Sequence, residues 1–195
     1  ITIVIAPPRG WLRLNLRELW HFRELFYILS WRDFKVRYKQ TVIGILWAIL
    51  QPFLLMLVFS FFFGRLANIE SNGAPYPIFV YSGLLFWTYF STALTSSSNS
   101  LVDNENIIKK IYFPRLLLPF SATITPLIDF LLAFVVLGGM MIYYGFAPSW
   151  ITIVAMPLLL VMSFMAASGL GALLAAINVR FRDVRYALPF VIQTL

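Results

Sequence analysis

Asp129 is an acidic side chain inside a long apolar run of this sequence, where burying a charge is costly. An acid in that setting can couple transport to a proton or another ion, which would make the chain an ion-coupled secondary transporter. Alternatively, the carboxylate is structural and bonds within a helix bundle, for instance to Thr125 one turn away. We favour the structural role, although this residue alone leaves both roles open.

Arg180, Arg182 and Arg185 form a second candidate group, at the end of another apolar run. The guanidinium fork matches phosphate oxygens bidentately, so one of these arginines could receive a pyrophosphate group. A plainer interpretation is that they anchor the cytoplasmic mouth of a membrane helix, which requires no contact with a ligand.

Aromatic residues, 17% of the chain, form a third candidate group in the first two apolar runs. Sugar rings have apolar C–H faces that stack on aromatic faces, so such side chains can line a path for a glycan. Most aromatic residues of membrane proteins instead face lipid or fill the bundle. The candidate channel residues are Trp47, Phe53, Phe86 and Trp87.

Other kinds of chemistry are excluded by what the sequence lacks. It has no cysteine and one histidine, His21, so a thiolate or histidine metal cluster is excluded. It has no glycine-rich phosphate loop followed by lysine and serine or threonine, so the chain cannot hydrolyse ATP on its own. We therefore expect no catalytic residue, no metal and no cofactor in this chain.

The composition places these residues in a membrane. Hydrophobic residues make up 61% and charged residues 12%, whereas soluble domains have about 45–50% and about 25%. Fourteen of the fifteen lysines and arginines fall in residues 9–39, 109–115 and 180–185, and Arg65 is the exception. Basic segments alternate with nearly uncharged ones, which is the positive-inside pattern and predicts a cytoplasmic N-terminus. Because the basic residues flank apolar runs, the net charge of +7 does not indicate nucleic-acid binding.

Four apolar runs predict an all-α bundle with membrane spans at residues 41–63, 77–94, 116–144 and 150–177. Residues 188–195 begin a fifth run, and we expect the chain to break off inside it, because a span needs about 20 residues. Pro52 lies in the middle of the first span and frees the carbonyl of Ala48. This helix should therefore face a partner or a cavity.

Two later spans carry structural signals. Pro119 and Pro126 interrupt the third span. In the fourth span small residues recur every four positions, a spacing that lets helix backbones approach closely and indicates packing rather than a substrate path. The two series are Ala167, Gly171, Ala175 and Ser168, Ala172, Ala176.

Residues 16–40 predict an amphipathic helix, so that residues 1–40 form an N-terminal segment and residues 41–195 a permease domain. The apolar face of this helix carries Leu19, Phe22, Phe26 and Leu29 at helical spacing. Its tryptophans and tyrosines suit the lipid headgroup region. We expect this interface helix to lie in the plane of the membrane surface, with its basic side toward lipid phosphates.

The inner loop at residues 103–119, DNENIIKKIYFPRLLLP, is the most specific segment. Ile107, Ile108 and Ile111 can form one side of a short helix, with Lys109 and Lys110 on the other. An exposed helix of this kind indicates a docking surface for another protein. The alternative is a basic loop that only fixes orientation in the membrane.

Three segments carry a resemblance to a known family: WRDFKVRYKQTVIGILWAILQP at 31–52, IIKKIYFPRLLLP at 107–119 and NVRFRDVRYALP at 178–189. They resemble the permease subunits of bacterial polysaccharide ABC exporters of the Wzm O-antigen type. Teichoic-acid and capsule exporters are close relatives. The resemblance extends from about Leu16 to the end of the chain.

This resemblance implies a six-span permease of the bacterial inner membrane that forms a homodimer. Two cytoplasmic ATPase subunits, which hold ATP and magnesium, would bind the dimer. The substrate would be a lipid-linked polysaccharide, O-antigen-like, or alternatively a teichoic acid or capsular polysaccharide. The first and fifth spans would line the channel, which favours Trp47 and Phe53, and the pyrophosphate considered above would belong to the lipid-linked glycan.

The resemblance also assigns two surface elements. The amphipathic segment at residues 16–40 resembles the interface helix of the family. The coupling helix, which fits into a cleft of the ATPase, matches the loop between the second and third spans. Its residues here are Asn104, Glu105, Asn106, Ile107, Ile108, Lys109, Lys110, Ile111 and Tyr112.

Two other classes of protein remain open from the sequence. An ion-coupled secondary transporter would use Asp129 as its coupling residue and would depend on a proton gradient rather than on ATP. A membrane-embedded transferase or structural subunit would be isolated without an ATPase and would act on lipid-linked sugar.

Overall fold

The computed structural model describes residues 16–39, 46–66 and 73–194, and all regular secondary structure in those ranges is helical. Residues 1–15 and the segment 40–45, where the first span was predicted to begin, lie outside the described residues. The all-α class is therefore confirmed for the part described. The helices are α1 Leu16–His21, α2 Arg23–Lys39, α3 Leu46–Phe59, a π-helix at Ser60–Leu66, α4 Tyr76–Asp103, α5 Glu105–Ile108, α6 Leu117–Ala122, α7 Ile124–Tyr143, α8 Trp150–Arg180 and α9 Val184–Thr194.

Four helical stretches are long and apolar enough to cross a membrane, as predicted. They are Leu46–Gly64, Tyr76–Asp103, Leu117–Tyr143 and Trp150–Arg180. The second is longer than predicted because α4 continues through the polar segment at 95–100. The hydroxyl groups there donate to carbonyls of their own helix: Thr95 Oγ1 to Ser91 O, Ser98 Oγ to Thr95 O, and Ser100 Oγ to Ser97 O. These bonds satisfy the hydroxyl groups of Thr95, Ser98 and Ser100 without ending the helix, whereas the buried hydroxyl of Ser97 has no hydrogen-bond partner.

The third span is divided at Thr123 into α6 and α7, so the predicted interruption by prolines is confirmed. Pro119 and Pro126 each occupy the third position of their helix. Proline is tolerated in a first turn because the N–H groups there have no acceptor within the helix. The break therefore falls between the two prolines, and the second proline begins a new helix rather than kinking an old one.

α4 is the central helix of the bundle, and its most extensive packing partner is α8. Ala167, Gly171 and Ala175 are buried in that contact, which confirms the packing interpretation of this series. A Cβ atom at Gly171 would collide with the side chain of Ser97 in α4. Asn178 extends the contact, since its Nδ2 donates to Ser98 O at 3.1 Å.

The second series of small residues behaves differently along the same helix. Ser168 is buried, whereas Ala176 is exposed. One face of α8 therefore approaches α4 closely, and its opposite face carries large exposed apolar residues such as Leu158 and Met162.

The interface helix is present as α1 and α2, with a turn at Phe22 between them. Its apolar face packs against the protein: Leu29 is buried in a cluster with Phe113, Leu117 and Leu118, and Phe26 packs at the edge. The prediction for this helix considered only the membrane surface and did not include this contact with the protein. The apolar residues stabilise a contact with α6, and Trp20, Tyr27 and Trp31 are exposed on the opposite side of the helix.

The fourth span extends beyond residue 177, where it was predicted to end. Because α8 runs to Arg180 and α9 begins at Val184, the loop between them comprises residues 181–183. Leu188 and Ile192 of α9 are buried against Leu94 of α4. This last helix therefore joins the bundle through the same central helix as the other spans.

Candidate functional site

The segment at residues 104–112 follows the end of α4 and is fixed to the interface helix by one buried amide. Asn104 is 8% exposed. Its Nδ2 donates to Ser100 O at 2.8 Å, and its Oδ1 accepts from Arg32 Nη2 at 2.6 Å. Arg32 is oriented by Asp33, whose Oδ1 lies 2.7 Å from the same nitrogen. Asn104 therefore positions the 104–112 segment instead of being available to a partner.

The isoleucines of the 104–112 segment divide into two groups. Ile107 and Ile108 pack against the cluster that contains Leu29 and Phe113. Ile111 and Tyr112 are 58% and 64% exposed. The prediction that Ile107, Ile108 and Ile111 share one exposed side is therefore wrong, because the first two residues hold the segment against α2 and α6.

The exposed surface of the 104–112 segment is polar as well as apolar. Lys109 Nζ donates to Glu105 Oε1 at 2.5 Å, one helical turn away. This hydrogen bond and the charge of Lys109 lower the pKa of Glu105 below its ordinary value. Asn106 and Lys110 are also exposed. A partner that binds here meets two lysines, one paired carboxylate and the apolar pair Ile111 and Tyr112.

A cavity of about 490 Å³ lies between α2, α3, α4 and α7. Pro52 and Ala48 line it, so the prediction that the proline-containing helix faces a cavity is confirmed. Pro52 is buried, and Gln51 and Trp47 line the same wall. Ala48, whose carbonyl the proline frees, is therefore a residue of the cavity wall.

Asp129 lines this cavity and forms an ion pair with Arg37 of the interface helix, with 2.8 Å between Oδ2 and Nη2. The side chain of Asp129 is 16% exposed and that of Arg37 is 40% exposed. The buried hydroxyl group of Thr125 has no hydrogen-bond partner. The prediction that Thr125 bonds to the carboxylate of Asp129 is therefore wrong. No local pattern pointed to Arg37, because the two residues lie on helices far apart in the chain.

The four predicted channel residues do not come together. Trp47 lines the cavity and is 52% exposed. Phe53 and Phe86 pack against the core, and the ring of Phe86 lies 5.2 Å from that of Phe130. Trp87 is 39% exposed beside Phe90. Sequence reasoning missed the polar side of the cavity wall, where the side chains come from one face of α4: Thr88, Tyr89 and Thr92.

The three arginines lie away from the cavity, near the 104–112 segment. Arg185 Nη1 lies 3.6 Å from Asp103 Oδ1 at the end of α4. Arg180 lies over the ring of Phe181, with 5.3 Å from its Cζ to the ring centre. Arg182 is exposed, and its charge contributes to the lowered pKa of Glu105. Arg185 is thus already paired, whereas Arg180 and Arg182 present their charge at the surface.

The described residues contain no group of three His, Asp or Glu side chains that could hold a metal ion. Two features of the described residues are candidates for contact with other molecules: a basic and apolar segment at one end of the bundle, and a partly polar cavity within it.

Comparisons with known proteins connect these features. Residues 24–195 match the family model described as ABC-2 type transporter. The O-antigen export system permease protein RfbA of Myxococcus xanthus is 33% identical over 171 residues, which cover 88% of this chain and 65% of that protein. A protein of the same name from Klebsiella pneumoniae is 30% identical over 167 residues, covering 86% of this chain and 64% of the relative. The chain thus spans slightly less than two thirds of these curated relatives.

Proposed function

Because this chain belongs to the ABC-2 type transporter family, we propose that it is the permease subunit of an ATP-driven exporter of lipid-linked polysaccharide. The similar proteins are named as permeases of O-antigen export systems, which supports an O-antigen-like glycan as the substrate. Teichoic acid and capsular polysaccharide share the chemistry of a long, hydroxyl-rich polymer and are the alternative substrates. The permease itself carries out no covalent chemistry, and ATP with magnesium is bound by a separate ATPase.

The observation that carries the proposal is the geometry of the 104–112 segment. Its inner residues, Ile107 and Ile108, are packed against the interface helix, while Ile111 and Tyr112 project from the bundle. A hydrophobic pair at the tip of a fixed loop fits a cleft in another protein, because the loop needs little ordering when it binds. Lys109 and Lys110 beside it would contact acidic groups at the rim of that cleft.

The same geometry supports a mechanism of energy transfer. The segment is continuous with α4 and hydrogen-bonded to α2, so an ATPase that closes on ATP and moves the segment would move both helices. α4 contacts α3, α7, α8 and α9, and α2 contacts α6 and α7. Displacement of the 104–112 segment therefore changes how α4 and α2 pack against the other helices, which move as rigid elements.

The placement in the membrane follows from the same proposal. The 104–112 segment and the basic ends of α2 and α8 face the cytoplasm, as the positive-inside rule requires, and the membrane is the bacterial inner membrane. α3 and α8 leave most of their large apolar side chains exposed. This surface is available to lipid and to a second copy of the chain in a homodimer that binds two ATPase subunits.

The ion pair of Asp129 with Arg37 argues against the ion-coupled alternative. An acid that binds and releases a coupling ion must exchange its partner during transport. Here the partner is a guanidinium that stays protonated throughout the physiological range. Asp129 is therefore better explained as a residue that fixes the interface helix to the third span.

The proposal is tested by purifying the full-length permease in detergent after co-expression with a candidate ATPase, sought first in the neighbouring genes. We expect the two proteins to elute together in equal amounts. Ile111→Ala and Tyr112→Ala should reduce the bound ATPase and the glycan at the cell surface while leaving membrane expression unchanged. Ile142→Ala is the matched control, because Ile142 is 83% exposed at the opposite end of the bundle.

Two results would overturn the proposal. One is a permease that is isolated without any ATPase and nevertheless supports full export. The other is export in vesicles that follows a proton gradient and is unaffected when ATP is removed, which would restore the ion-coupled alternative.

A further inference from the structure

The cavity between α2, α3, α4 and α7 contains polar atoms that the protein leaves unsatisfied. The hydroxyl group of Tyr89 is buried and has no hydrogen-bond partner, and the residue is 2% exposed. Asp129 Oδ1 is also buried without a partner, because Arg37 bonds to the other oxygen. Buried polar atoms are nearly always bonded in folded proteins. Both residues line one cavity, and a ligand held there would supply the missing bonds.

The chemistry of the wall defines what that ligand must offer. Asp129 Oδ1 can only accept a hydrogen bond, whereas the Tyr89 hydroxyl can donate or accept. Arg37 adds a donor next to the acceptor, and Thr88 and Thr92 add two hydroxyl groups. A ligand with several neighbouring hydroxyl groups satisfies donors and acceptors together, which a purely apolar or purely anionic group does not.

The apolar part of the cavity wall also fits a sugar ring. Trp47 lies on the open side of the cavity, and the ring of Phe130 lies inside it, 5.6 Å from the ring of Tyr89. An aromatic face beside hydrogen-bonding groups fits a sugar ring, whose C–H face is apolar and whose edge carries hydroxyl groups. A volume of about 490 Å³ is also within the roughly 300–1,000 Å³ of small-molecule sites.

An anionic lipid headgroup is a poorer match for the same wall. A phosphate at Arg37 would lie against the Asp129 carboxylate, which is 2.8 Å from that guanidinium. Like charges at such a distance repel strongly where water is excluded. A neutral sugar meets no such repulsion, and it can use the guanidinium and the carboxylate as an adjacent donor and acceptor.

We infer that this cavity binds one sugar ring of the glycan, through Asp129, Arg37 and Tyr89, with Trp47 covering the open side. The inference rests on the proposed function, since it assigns a place to that substrate. The C-terminal end of the interface helix and the first turns of α3 contribute to the cavity wall. A ring held there would be bound before the polymer advances.

The absence of cysteine in this chain allows a direct test. Thr92→Cys places one thiol in the cavity wall, and Ser91→Cys places one on the same helix outside the cavity. Each variant, made in the full-length protein freed of any other cysteine and assembled with its ATPase, is labelled with a small methanethiosulfonate reagent in inside-out membrane vesicles. One set of vesicles comes from cells that make the lipid-linked glycan and the other from cells unable to make it.

We expect the glycan to slow labelling of the Thr92→Cys variant several-fold and to leave the labelling of the Ser91→Cys variant unchanged. Asp129→Asn, added to Thr92→Cys, should reduce that protection, because the amide has one acceptor oxygen and no charge, so it cannot accept from Arg37 and from the sugar on two separate oxygens as the carboxylate does. A short oligosaccharide of the same repeat unit, without the lipid, should protect the thiol of the Thr92→Cys variant when added to the glycan-free vesicles.

Three outcomes would overturn the inference: equal labelling of the Thr92→Cys variant with and without glycan, protection that Asp129→Asn does not change, or protection by phosphatidylglycerol in place of the sugar. Export and ATPase binding are measured on the same preparations. If they are normal while the thiol in the cavity wall is unprotected, the sugar site fails and the proposed function stands. If neither is present in the unsubstituted protein, the proposed function itself fails.

Discussion

Arg37 of the interface helix and Asp129 of the third span form an ion pair, with 2.8 Å between Nη2 and Oδ2. The pair joins a helix that carries exposed tryptophans to a helix inside the bundle. It also lies at the wall of the cavity, so the position of the interface helix and the shape of the cavity are linked. A substitution at either residue should therefore affect both.

Arg37→Gln should destabilise the protein more than Asp129→Asn does, because it leaves a carboxylate buried without a counterion. The double variant should recover part of the loss, since it removes the charge as well. The cost of Arg37→Gln should stay below the ~3–5 kcal/mol of a fully buried pair, because Arg37 is 40% exposed. Thermal unfolding of the purified variants in detergent measures these differences, and equal values for both single variants would contradict the ion pair.

Gly171→Ala should destabilise the contact between α4 and α8, because the added Cβ collides with Ser97. Overpacking of this kind costs about 1–3 kcal/mol. Gly169→Ala on the same helix is the matched control, since nothing lies within 4 Å of the Cβ added there. Adding Ser97→Gly to Gly171→Ala should restore the unfolding temperature. A Gly171→Ala variant as stable as the Gly169→Ala control would show that the two helices are less closely packed.

Asn104→Ala should weaken the attachment of the 104–112 segment to the interface helix. It removes the hydrogen bond from Arg32, and a bond to a charged group is worth about 1.5–3 kcal/mol. We expect a lower unfolding temperature and less bound ATPase. Asn106→Ala, at an exposed position in the same segment, should leave the unfolding temperature unchanged. If both variants lose ATPase with no loss of stability, Asn104 contacts the partner directly.

Lys109→Gln should raise the pKa of Glu105 toward its ordinary value, since Lys109 is the main cause of the lowered pKa. Lys110→Gln should leave it unchanged. Because the pKa of Glu105 is lowered in the folded protein, the stabilisation by this pair is fully present above the ordinary pKa of a glutamate and is lost as the pH falls through the lower folded value. Carboxyl ¹³C shifts of labelled glutamate, followed against pH in nanodiscs, measure both variants.

Much of the fold could be predicted from the sequence because the membrane imposes long apolar runs and internally bonded backbones. The four spans, the interruption of the third by prolines and the close packing at Gly171 all follow from local patterns. The first and last residues of the spans were predicted less accurately than their existence. The second span was predicted to end at Leu94, and the helix continues through residues 95–100, where hydroxyl groups bond to the preceding turn.

The candidate sites could be predicted only in part, because their geometry depends on contacts between distant segments. Ile107 and Ile111 have the same local signal in the sequence, and what separates them is the cluster around Leu29. Arg37 and Tyr89 had no local signal as cavity residues for the same reason. The cavity wall combines four helices, and a single sequence does not reveal which of their faces meet.

The continuity of α4 has a mechanical consequence. At about 1.5 Å per residue its 28 residues extend roughly 42 Å, beyond the ~30 Å of bilayer hydrocarbon. Thr92 lines the cavity and lies near the middle of α4. Asn104 follows the last residue of α4 and accepts the hydrogen bond from Arg32. No proline or glycine lies between these two residues. Because the helix has no hinge here, a displacement of its end at Asn104 tilts or translates the part that lines the cavity. Under the proposed function, inserting a flexible glycine segment between these two positions would leave the ATPase-binding segment and the cavity intact, but movement would no longer be transmitted from one to the other.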